Sequence, residues 1–138
     1  MKKLIIAAAL LAGVSAHAHA ALDANTCKIK LNTVQISLSN VDAASKNLHE
    51  FFPSLKYMGS GPLSNLHPDD AKPMHDLHQA VIFALQSQIE AEDAFKQAGC
   101  IPYEYQASIA KGREGTVEFL AKVKYMMELG DLQTHYRE

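Results

Sequence analysis

From residue 27 onward, apolar side chains return every three or four positions. Cys27, Leu31, Val34, Leu38, Val41, Leu48 and Phe52 form the series, with Ser45 in its one gap. That 4-3-4-3 spacing is one face of an α-helix. Residues 28–39 also alternate as a strand would, with Val34, Ile36 and Leu38 on one side. The helical period runs on through 41–52, and no other segment offers a strand partner, so helix is the better reading. Pro53 ends it, because proline lacks the amide that the next turn needs.

Residues 53–68 hold Gly59, Gly61 and three prolines and read as the one long loop. A second helix follows, with Asp69 or Asp70 as its cap and Pro73 in its first turn, where a missing amide costs little. It runs to Gly99, a residue suited to the left-handed position past a helix end. Its apolar face is Leu77, Val81, Ile82, Leu85 and Ile89, and the acidic run at 90–93 reads as a solvated outer face. A third helix can start at Pro102 with Tyr105, Ile109, Leu120, Val123 and Met127 as its seam. Gly112 and Gly115 leave room for a kink or a split, and Gly130 is expected to end the regular part. The fold class predicted is all-α, an antiparallel up-down-up bundle of three long helices.

The first 20 residues change the compartment. Lys2 and Lys3 precede an apolar run from Leu4 to Val14, and Ala18-His19-Ala20 closes the segment. This is the pattern of a bacterial secretory signal peptide, too short to span a bilayer. Residues 21–138 are then expected as one domain in the periplasm or outside the cell. Cys27 and Cys100, the chain's two cysteines, can form one bridge in that oxidising space. The bridge also tests the topology, since Cys27 opens the first helix and Cys100 follows the second. Antiparallel neighbours bring those ends together, whereas parallel ones would hold them tens of ångströms apart.

Without its leader the chain carries 11 basic and 15 acidic side chains, a net −4 with neutral histidines. Such a balance argues against nucleic acid or anionic lipid as partner. Candidate chemistry gathers instead at the pole opposite the bridge. His49 closes the first helix, His67, His75 and His78 open the second, and His135 follows the third. His75 and His78 stand at i and i+3 and can turn to one ion. Imidazole suits Zn, Cu or Ni, and Met74 or Met58 would favour cuprous ion. The separate HxxH spacing is common, and no HExxH, CxxC or EF-hand loop accompanies it. Protonation of several rings between about pH 5 and 7 could also make this pole a pH-responsive element.

Covalent haem requires CxxCH, which is absent. Noncovalent haem b between a methionine of the first helix and His135 lacks its methionine. No GxSxG elbow, phosphate loop or free Cys–His pair points to catalysis. The leading expectation is a nonenzymatic exported binding protein with a protein partner, of inhibitor, immunity, chaperone or adaptor type. Tyr57, Met58 and Leu63 in the uncharged stretch 57–65 are its candidate contacts. Transition-metal binding by the histidine pole is the alternative.

Overall fold

The computed structural model describes residues 24–58 and 65–134. Three long helices account for most of them: α1 (Ala24–Phe51), α2 (Pro68–Gln97) and α3 (Gln106–Thr134). The alternating stretch of 28–39 is helical, because its 3.6-residue seam buries Cys27, Leu31, Ser37 and Val41. A 3-10 turn with Pro53 inside it ends α1. Two short strands, β1 (Tyr57–Met58) and β2 (Asn65–Leu66), then pair antiparallel, Tyr57 opposite Leu66.

The α2 start differs from expectation. Pro68 takes the first helical position, and the cap is His67, whose Nδ1 accepts from the Asp69 amide at 3.2 Å. Asp70 serves a different purpose. Its carboxylate accepts from the Lys56 amide at 2.8 Å and so ties the α1–α2 connection to the helix. Because the helix starts earlier than Asp69, Pro73 lies inside it rather than in its first turn.

Gly99 ends α2 as read, with φ of 70°. Its amide reaches the Lys96 carbonyl and the Cys100 amide reaches Phe95, the paired bonds of a Schellman motif. That motif seats Cys100 against Phe95 and beside α1, where it bonds to Cys27 with Cα atoms 5.4 Å apart. A turn at Tyr103–Tyr105 leads into α3, which is continuous through Gly112 and Gly115. Gly130 does not end it; the helix runs on to Thr134. A glycine costs a helix about 1 kcal/mol against alanine, which weakens the element without breaking it.

Ladders of polar pairs set the direction of α3. Asp93 meets Arg113, Gln88 meets Thr116, and His75 meets Asp131, so numbers fall along α2 as they rise along α3. Up-down-up topology follows. The core divides into an upper cluster around Leu31, Phe95, Ile101 and the disulfide, and a lower one around Val41, Leu48, Val81, Leu85 and Val123. α1 and α3 each pack closely along α2, and their backbones stand further from each other than either does from α2.

Candidate functional site

That wider spacing opens a concave surface between α1 and α3. With α2 as floor and α1 and α3 as walls, a cleft of about 600 Å³ lies between the two clusters. Leu31, Val34 and Leu38 form its α1 wall, Leu85 and Phe95 its floor, and Ile109 and Phe119 its α3 wall. In a closed bundle these side chains would meet across the seam. Here Phe119 remains 43% exposed, an apolar edge that the fold leaves uncovered.

The floor is also polar at one level. Gln88, only 5% exposed, donates to Glu92 Oε1 at 2.7 Å and contacts Thr116 Oγ1 at 3.4 Å. Thr116 in turn donates to the Gly112 carbonyl. Just above, Arg113 forks onto Asp93 through two bonds of 2.9 Å. The Arg113 hydrogen bond holds the Asp93 carboxyl below the usual carboxylate range and raises the guanidinium in return. These pairs fix the register of α3 on α2 and correct one expectation. The acidic run at 90–93 is not wholly an outer face: Glu92 and Asp93 turn toward α3, and Ala91 is buried.

Gly112 and Gly115 line the α3 wall, and a Cβ built on either would meet nothing within 4 Å. With Ser108 they form a strip of small residues at i, i+4 and i+7. Neither packing nor backbone geometry requires these two glycines, since neither has a positive φ. Gly112→Ala and Gly115→Ala are each expected to raise unfolding free energy by about 1 kcal/mol in a urea titration.

The histidine pole is assembled in part. Antiparallel topology brings the end of α1, the start of α2 and the end of α3 to the same end of the molecule. His75 is 7% exposed, and its Nδ1 lies 2.9 and 3.0 Å from the two carboxylate oxygens of Asp131. His78 is 1% exposed, with Nδ1 2.8 Å from the Met74 carbonyl. Carbonyl and carboxylate oxygens accept, so in both rings Nδ1 carries a proton. The other ring nitrogen of His78, Nε2, is a buried atom with no hydrogen-bond partner among the described residues.

The other expected ligands do not join them in a closed shell. His67 is engaged as the α2 cap, and His49 is exposed on α1. Met74 is half-buried against the lower cluster. His135 and Leu63 lie outside the described residues. Among the described residues no group of three or more His, Cys, Asp or Glu side chains is placed to hold a metal. Tyr57 and Met58 contribute backbone to β1. Asp131 was missing from the sequence reading, although one signal points to it. An acidic residue near a helix C-terminus opposes the helix dipole and calls for a compensating partner.

Comparison with known proteins does not assign this site. The chain matches no family model, no curated protein and no solved structure.

Proposed function

We propose that this is a nonenzymatic binding protein that receives part of a protein partner in the cleft between α1 and α3. The observation carrying the reading is the separation of those helices over an apolar floor, with two glycines on one wall opening onto empty space. An amphipathic segment laid into such a groove buries apolar surface from both sides, the main favourable term in association. The stretch 57–65 remains a second candidate contact, although its residues 59–64 lie outside the described residues.

Site-specific photo-crosslinking tests the cleft. A photoreactive side chain at Leu38, on the α1 wall, is expected to give a discrete adduct in cells. The same group at Phe83, 72% exposed on α2 and outside the cleft lining, should give none. Gly115→Leu fills the cleft and should remove the Leu38 adduct while leaving the helical circular dichroism unchanged. Equal adducts at both positions, or a Leu38 adduct untouched by Gly115→Leu, would sink the proposal.

Metal binding at the histidine pole is a second reading, favoured by the orientation of the rings. Metal-binding histidines commonly donate their other ring N–H to a carboxylate or a backbone carbonyl, as His75 and His78 do. Nε2 of each would face the ion, with Met74 as the soft donor if the ion is cuprous. Native mass spectrometry with Cu, Zn or Ni is expected to show about one equivalent bound, and none in the His75→Ala, His78→Ala double variant. Micromolar or weaker uptake that the double variant leaves unchanged removes this reading.

A further inference from the structure

Resting on the reading of the cleft as a partner site, we infer that its occupant is an amphipathic helix of three to four turns with a lysine- or arginine-bearing flank. The dimensions come first. The lining runs from Leu31 to Ser45 along α1 and from Ser108 to Phe119 along α3. At 1.5 Å per residue these walls are about 21 and about 17 Å long, the length of a helix of about 11 to 14 residues. The groove is thus elongated and parallel to the bundle axis, in the position a fourth helix takes in a bundle of four. The strip Ser108, Gly112, Gly115 lets a helix backbone come close to α3, as small residues do where helices approach tightly. Leu31, Val34 and Leu38 on the facing wall offer the i, i+3, i+7 ridge against which an apolar helix face interdigitates.

Charge then selects the flank. Asp42, Glu92 and Arg113 are the charged side chains of the lining. Arg113 is engaged by Asp93 through both arms of its fork, and Glu92 acts on it as well. Asp42 is exposed on the α1 wall and forms no ion pair among the described residues. Asp93 lies beside Lys96 as well as Arg113, so three carboxylates stand against two cations, and Asp42 carries the excess negative charge. Lys46, a turn from Asp42, pairs with Glu50, and no lysine is among the residues lining the cleft. A cationic flank is therefore complementary and an anionic one is repelled. A second copy of this chain is the poorer occupant, since the whole chain is net negative, at −2.

The test uses three fluorescein-labelled peptides of about 14 residues with one shared apolar face and lysine, glutamine or glutamate flanks. Binding is read by anisotropy on the disulfide-bonded protein. The lysine peptide is expected to bind about tenfold more tightly than the glutamate peptide, as two or three weakly screened surface charges imply. Asp42→Asn should cut that preference about threefold. Gly115→Leu should abolish binding of all three.

Equal affinities for the lysine and glutamate peptides overturn the inference, as does a lysine preference that Asp42→Asn leaves unmoved. Because Asp42 is exposed, that arm stands even if Gly115→Leu fails to fold. Binding to none of the peptides while the Leu38 adduct persists overturns the cationic helix and leaves the cleft reading standing. Loss of both removes both. Sedimentation as a dimer that excludes the peptides would instead seat a second copy in the groove.

Discussion

Replacing Cys27 and Cys100 together by alanine is expected to lower the unfolding free energy by about 4 kcal/mol. The bridge closes a loop across 73 residues of sequence, so most of its effect lies in the unfolded chain, whose freedom it restricts. Alanine is preferable to serine here because both sulfurs sit in the upper cluster with Leu31, Phe95 and Ile101. A buried hydroxyl would add a desolvation cost unrelated to the cross-link. Two readings of one urea titration check the account. The midpoint should fall, and the slope should rise, because an unfolded chain without the bridge exposes more surface. A loss under about 1 kcal/mol would mean that the α1–α2 hairpin is held by packing alone, against the loop-closure estimate.

Leu85→Ala is the second large effect, an expected loss of about 3 kcal/mol. Leu85 is 2% exposed and belongs to the lower cluster with Val41, Val81 and Val123, so truncation loosens a cluster built from all three helices. The side chain is also part of the cleft floor. Its neighbours on that side have space to give, which places the cost near the middle of the range for buried leucines rather than at its top. Val81→Ala, fully buried and away from the cleft, provides the comparison. If Leu85→Ala costs less than Val81→Ala, the floor of the cleft is not anchored in the core as described.

The seams were legible in the sequence because burial on one face imposes a period that sequence displays directly. Cys27, Leu31, Val34, Val41 and Leu48 fall on the buried or half-buried side of α1, and the cysteine pair alone required α1 and α2 to run in opposite directions. Gly99 was legible for a similar local reason, a backbone conformation that few other residues adopt. Capping was less so. His67 takes the capping role expected of Asp69 or Asp70, and Asp70 instead binds the Lys56 amide, a contact 14 residues away in sequence.

The cleft was not legible at all. Periodicity reports which residues turn inward but carries no measure of how far apart two helices stand. In the sequence Gly112 and Gly115 mark weak points along α3, whereas in the fold they line the cleft wall with Ser108. The acidic residues at 92 and 93 were similarly opaque. A carboxylate facing solvent and one facing Arg113 on a neighbouring helix look the same in sequence. At the histidine pole, the burial of His75 and His78 follows from their place on the face that carries Val81 and Leu85. The bond to Asp131, 56 residues away, depends on the register of α3.

The openness of the α1–α3 seam is the claim on which the functional reading rests, and the stability of Gly112→Ala, Gly115→Ala in urea measures it without any partner. An open seam leaves the added methyl groups free of contact, and the double variant should gain about 2 kcal/mol from helix propensity alone. A loss of stability would show that the walls close over those glycines in the folded protein, and that no groove is present to receive a partner.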